Sequence, residues 1–188
     1  MLSHLVDKQI GFAKPQPQDP NHTRLARDVI EKWCPDLDCR TVLDVGCGSG
    51  FCKPIFEVLG YEWTGTAIGK DFENASAAGL NVVCMDMHEA FGDFGLVFAR
   101  HVLEHSPFPV VALDAWRKMA RYCIVVVPRL EKGAYSESTH LSILPRQTWV
   151  RYFLFCDLKI VKYEDVDYNN PPPWPQHGGE WRFLLERK

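Results

Sequence analysis

A chain of 188 residues is long enough for one domain with a substantial hydrophobic core. Apolar residues at 46% and charged residues at 24% give the balance of an ordinary globular protein and exclude a disordered or fibrous chain. A net charge of −3 leaves no basic footprint for nucleic acid, and no stretch approaches the ~20 apolar residues of a membrane helix.

The opening MLSHLVDKQIGFAK has no long apolar run after a basic start, so no secretory signal is expected and the reading is cytoplasmic. Pro15, Pro17 and Pro20 break regular structure, so residues 1–21 read as an arm or lid and residues 22–188 as the domain. A helix is predicted over His22–Trp33, capped by Asn21 or Thr23, with Leu25, Val29, Ile30 and Trp33 on its buried face. Pro35 ends it. Thr41–Val45 is a β-branched strand that leads into Gly46, Gly48 and Gly50 and then a helix over Phe51–Leu59. Next come a strand at Tyr61–Gly65, a short helix at Asp71–Ala78, and strands at Leu80–Cys84 and Leu96–Ala99. A helix over Pro109–Ala120, with proline near its first position, precedes a strand at Tyr122–Val127.

The last third changes texture. Gly133–Leu144 reads as a loop, Arg146–Leu154 as a helix, and Leu158–Glu164 and Glu180–Glu186 as strands. Asn169–Pro175 between them is a rigid proline-rich connection carrying Trp174. The β-α alternation implies an α/β fold, a mostly parallel sheet with helices on both faces, with the late strand pair as an antiparallel edge.

A buried strand feeding a glycine-rich turn at a helix start marks a nucleotide-type ligand site at the carboxyl ends of the strands. The spacing G-x-G-x-G matches neither the dinucleotide fingerprint nor the phosphate loop, and no lysine is placed for phosphates. Asp44, just before the glycines, would repel a polyphosphate but accept hydrogen bonds from an ammonium. That chemistry suits S-adenosylmethionine. The string VLDVGCGSG, residues 42–50, resembles motif I of the class I S-adenosylmethionine-dependent methyltransferases. The resemblance runs over roughly residues 22–188 and implies a three-layer Rossmann-like sandwich with strand order 3-2-1-4-5-7-6 and strand 7 reversed. It implies cofactor contacts from Asp44, Gly46, Cys47, Gly48 and Gly50.

The other constellations follow from the same resemblance. The family's ribose-binding acid at the end of strand two falls here at Ala67, beside Ile68, so Asp71 either replaces it or caps the next helix. Asp86 is placed to accept from the adenine amino group and Met87 to pack on the ring. Arg100 and His101 would face the cofactor at the end of strand four. His101-Val102-Leu103-Glu104-His105 is similar to a segment of many small-molecule methyltransferases. It also fits the inverted zincin pattern H-x-x-E-H, but that pattern needs a helix and a third ligand, so no metal is expected. His105 is the best-placed general base, with a loop-tying histidine as the other reading, and Glu104 ties the loop together. His140, in a segment resembling the family's E-H-L, is the second acid/base candidate. Trp149 and Trp174 line a pocket or belong to the core. The seven cysteines form no CxxC pair, and the strand contexts of Cys84 and Cys123 suggest buried thiols in a reducing compartment.

The expected function is therefore methyl transfer to a small-molecule acceptor. The strand-four segment lacks both [DNS]-P-P-[YFW] and a Pro-Cys pair, which disfavours DNA-base methylation. The alternatives are a non-catalytic cofactor-binding or scaffold subunit and a methyltransferase acting on nucleic acid or protein. The oligomeric state is not legible.

Overall fold

The apolar runs become the strands of one seven-stranded sheet in the computed structural model, which describes residues 20–129, 139–168 and 178–188. In chain order these are β1 (Thr41–Val45), β2 (Glu62–Ala67), β3 (Val82–Cys84), β4 (Phe94–Arg100), β5 (Ala120–Pro128), β6 (Leu158–Asp167) and β7 (Gly179–Arg187). They lie in the order β3-β2-β1-β4-β5-β7-β6. The pairs β1–β2, β2–β3 and β4–β5 are parallel, and β7 runs antiparallel to both β5 and β6. This is the expected order, with the seventh strand reversed. The helices are α1 (Pro20–Trp33), α2 (Lys53–Val58), α3 (Gly69–Ala77), α4 (Pro109–Met119) and α5 (Arg146–Phe155). The chain forms two compact units, one ending at Met87 and the other starting at His88. The arm expected at 1–21 falls almost wholly outside the described residues, as does the Asn169–Pro175 connection with Trp174.

In the first unit, α1 starts at Pro20, so Thr23 lies inside the helix and not at its cap. Its buried stripe is Ala26, Val29, Ile30 and Trp33, with Ala26 taking the place expected of Leu25. A 3₁₀ turn at Cys34–Asp36 carries Pro35 and closes the helix. β2 extends two residues beyond expectation, because Thr66 and Ala67 pair with Val83 and Cys84 of β3. α2 starts at Lys53, two residues later than expected, and buries Ile55 and Phe56. α3 starts at Gly69 with Ile68 as its N-cap residue.

The second unit buries Leu96–Ala99 of β4 and Cys123–Val127 of β5 almost completely. Against these strands α4 packs Ala112, Leu113, Trp116 and Met119. α5 buries Trp149 and Phe153, so Trp149 is core. The cysteines divide: Cys123 is buried as expected, and burial pushes its thiol up to about 12. Cys84 is exposed, a correction that follows from its place on the short edge strand β3. No helix among the described residues is long and apolar enough to cross a membrane.

Candidate functional site

The turn after β1 is built on left-handed glycines: Gly46, Gly48 and Gly50 have φ of 65°, 54° and 73°. Other L-residues adopt that region only at a cost of about 1–2 kcal/mol. Hydrogen bonds fix the turn, from the Cys47 amide to the Thr66 carbonyl and from the Gly50 amide to the Cys47 carbonyl, both 2.9 Å. The glycines then differ in their surroundings. A Cβ on Gly50 would sit 2.6 Å from Leu80 Cδ1, so this glycine closes the turn on the protein. A Cβ on Gly48 would meet nothing within 4 Å among the described residues. Gly48→Ala is therefore expected to cost about 1–2 kcal/mol of stability while weakening a ligand laid over the turn at least tenfold. Chemical unfolding beside calorimetry with S-adenosylhomocysteine separates the two effects.

Asp44 sits one residue before the end of β1, 3% exposed, and accepts a hydrogen bond from Trp63 Nε1 at 3.1 Å. The register explains the pair. Asp44 stands opposite Gly65, and Trp63 is two residues back on the same face of β2. Gly65 has no side chain, and a Cβ there would lie 2.6 Å from the Trp63 ring. The indole therefore occupies the space over Gly65 and reaches the carboxylate. Burial pushes the Asp44 carboxyl up to about 7, and the indole bond draws it part of the way back. A buried acid with one hydrogen-bond donor among the described residues has the chemistry to take a cation.

Ala67 is buried at the end of β2. Asp71 does not cap α3; it lies in the first turn, half-buried, its carboxyl raised by burial. Burial also raises the Cys47 thiol, Asp44 adds to the rise, and Asp71 contributes a further part. Asp71 is thus within electrostatic reach of the glycine turn. Asp86 and Met87 follow β3, both half-buried, after the buried Met85.

In the second unit, β4 delivers Arg100 and His101 into an ion network. Glu180 of β7 is fully buried. Its Oε2 accepts from Arg100 Nη2 (2.9 Å), the Tyr168 hydroxyl (2.7 Å) and His101 Nε2 (3.2 Å), and its Oε1 accepts from Arg182 Nε (2.6 Å). His101 has φ 54° and bonds Glu104 Oε1 through Nδ1 at 3.2 Å. Both ring nitrogens face carboxylates, so both donate and the ring is an imidazolium. Burial and Arg100 lower its pKa, but the bonds to Glu104 and Glu180 outweigh them and the net shift is upward. The two side chains expected to face a cofactor thus direct these polar atoms at Glu180 and Glu104.

The 3₁₀ turn Leu103–His105 follows. Glu104 is fully buried, and its Oε2 has no hydrogen-bond partner among the described residues. The Glu104 carbonyl accepts from the Leu141 and Ser142 amides (2.9 and 2.8 Å), which ties the 139–142 segment to the turn. His105 Nδ1 bonds the Thr139 carbonyl at 3.1 Å. The His105 and His140 rings meet edge to face with centroids 4.8 Å apart. The structure therefore brings together the two acid/base candidates, 35 positions apart in sequence. Elsewhere in this unit a cavity of about 390 Å³, lined by Arg146, Arg151, Tyr163 and Phe183 among others, includes none of the predicted site residues.

Residues 43–122 match the family model of a methyltransferase domain. Among solved structures, the chain is similar to a SAM-dependent methyltransferase from Archaeoglobus fulgidus, at 18% identity and TM-score 0.66 over 88% of this chain and 94% of that one. It is similar to magnesium protoporphyrin IX methyltransferase from Synechocystis PCC 6803 with bound SAH, at 13% identity and TM-score 0.71 over 99% and 95%. The fold is that of the Rossmann-like methyltransferases. The cyclase SpnF shares it too, at 16% identity and TM-score 0.71 over 99% and 92%, so this fold hosts more than one reaction. No curated protein matches the chain. Sequence reasoning missed Trp63, Glu180, Arg182 and Tyr168. Trp63 had a signal in retrospect, a bulky ring two residues before a glycine opposite an acid; the β7 residues had none.

Proposed function

We propose that the protein is an S-adenosylmethionine-dependent methyltransferase for a small-molecule acceptor. The observation that carries this reading is the buried Asp44 leading into three left-handed glycines, within the segment that matches a methyltransferase domain. An acid in that place fits an ammonium and repels phosphate. When bound, the cofactor supplies a methyl group already activated on a sulfonium. Asp44 would hold the ammonium, the open side of Gly48 would admit the ligand, and Asp86 with Met87 would take the adenine. Asp71 would serve the ribose in place of the acid missing at Ala67. Arg100 and His101 act at one remove, by fixing the chain where it leaves β4. The chain's remaining task is to align acceptor and methyl group away from water. His105 and His140, whose rings meet, are the chain's candidates for proton transfer where an acceptor must lose a proton. Seven free cysteines support a reducing, cytoplasmic setting.

The test is calorimetry with S-adenosylhomocysteine, followed by transfer of labelled methyl to a metabolite pool. Micromolar binding with turnover supports the enzyme. Binding without turnover on any acceptor class favours a cofactor-binding subunit, and no binding overturns both. Asp71→Asn is expected to weaken binding about 10- to 100-fold, the loss of a charge-assisted hydrogen bond of about 1.5–3 kcal/mol. An unchanged affinity would remove Asp71 from the site.

A further inference from the structure

Glu104 joins His105 and His140 in a trio that offers one ligand atom each, all within 4.8 Å of one another. We propose that these three residues bind a divalent transition-metal cation of the zinc, manganese or cobalt class, leaving coordination positions open to an exogenous oxygen ligand. Two imidazoles and a carboxylate are a donor set for such ions, and three protein ligands leave the sphere open.

Four observations point to it. First, Glu104 Oε2 is buried without a partner among the described residues, although a buried carboxylate oxygen calls for a proton donor or a cation. Second, Glu104 Oε1 is already held by His101 at 3.2 Å, which orients the carboxylate as outer hydrogen bonds orient metal ligands. Third, a carbonyl can only accept, so His105 Nδ1–H donates to Thr139 and the lone pair lies on Nε2. A backbone carbonyl behind a ligating imidazole is the usual arrangement. Fourth, the amides of Leu141 and Ser142 and the Ser142 Oγ bond to the Ser106 carbonyl (2.7 Å) pin the His140 segment to the turn that bears the other two donors. Tetrahedral ligands at bonds of about 2.0–2.1 Å lie about 3.3 Å apart, so closure needs movements of up to about 1.5 Å, within side-chain rotation.

The motif H-x-x-E-H is thus used differently from the zincin pattern. It lies on a 3₁₀ turn, His101 supports the carboxylate, and the third ligand comes from a distant segment. A cation there would polarise a bound acceptor oxygen and lower its pKa, taking over the proton work of the two histidines. Only this last point rests on the methyl-transfer reading.

The test uses the full chain, stripped with a chelator and titrated with Co²⁺ as a spectroscopic probe. One equivalent should bind, with visible d–d bands and no near-ultraviolet thiolate band. His105→Ala and His140→Ala should each weaken binding on the order of 100-fold. His140 is half-exposed on a loop, so that variant tests the ligand role without disturbing the core. No saturable binding, a thiolate band, or full affinity in both variants would overturn the site. Calorimetry with S-adenosylhomocysteine on the same samples keeps the readings apart. Cobalt without cofactor binding would sink methyl transfer and leave the metal site, and the reverse would sink only the metal site.

Discussion

Glu180→Ala is expected to lower the unfolding free energy by about 3–5 kcal/mol, the cost of removing one partner from a buried ion pair. Glu180 is the only carboxylate bonded to both Arg100 and Arg182 among the described residues, and Arg182 is itself fully buried. Without it, two guanidinium groups and the His101 imidazolium stay in the interior with part of their charge uncompensated. Glu180→Gln keeps the shape but turns amide hydrogens toward groups that already donate, so most of the loss should remain. Glu164 provides the control. It bonds Arg182 Nη1 at 3.1 Å from a position 28% exposed, where an ion pair is worth about 1 kcal/mol or less. Urea unfolding of the three variants at unchanged slope is the measurement, and equal losses for Glu164→Ala and Glu180→Ala would refute the ranking. Burial raises the Glu180 carboxyl, but Arg100, His101 and Arg182 outweigh it and hold it well below the usual glutamate range. The folded value is depressed, so this stabilisation is present above the ordinary glutamate range and is lost only as pH falls into strong acid. The gap between wild type and Glu180→Gln should close below about pH 4 and also narrow above about pH 6.5, as the His101 imidazolium that Glu180 helps to hold loses its proton.

That network also marks where sequence reasoning stops. The mostly parallel sheet with an antiparallel edge follows from β-branched runs and β-α alternation, which are local signals, and the strand order follows from the family resemblance that the glycine turn carries. Arg100 and Glu180 are 80 positions apart and meet because β7 inserts beside β5, with Glu180 opposite Pro128 and Arg182 opposite Val126. No periodicity encodes that register. Element ends failed for a related reason: the last two residues of β2 are strand because β3 pairs with them, a tertiary fact. Asp71 suggests an N-cap because acids favour that place, yet α3 starts from Ile68, which has no capping side chain. The meeting of His105 and His140 depends on two amides reaching the Glu104 carbonyl, which side-chain chemistry does not announce.

Affinity for S-adenosylhomocysteine is expected to rise about tenfold per pH unit up to about pH 7 and then level off. Burial pushes the Asp44 carboxyl up to about 7, so below that pH the acid is largely neutral. An ammonium binds the carboxylate form, so binding in mild acid must first release a proton, at about 1.36 kcal/mol per pH unit. The ligand's own α-amino group loses its proton in alkali, which sets the alkaline limit. Stability moves the other way. Asp44 takes up protons more readily folded than unfolded, so its contribution is fully present below about pH 4 and is lost as pH rises through about 7. The site thus costs the empty protein stability at the pH where it binds best, as expected of a group kept for a ligand. Asp44→Asn should abolish both slopes and weaken binding at pH 7.5 (about) by 10- to 100-fold, or about 1.5–3 kcal/mol. Trp63→Phe removes the one hydrogen bond that favours the carboxylate, so the acid-side midpoint should move upward. Calorimetry in buffers of different ionisation enthalpy counts the released proton directly. An affinity that stays flat between pH 5.5 and 7 (about) in the wild type, or a slope that survives in Asp44→Asn, would mean that the ammonium is held elsewhere and that Asp44 serves the fold alone.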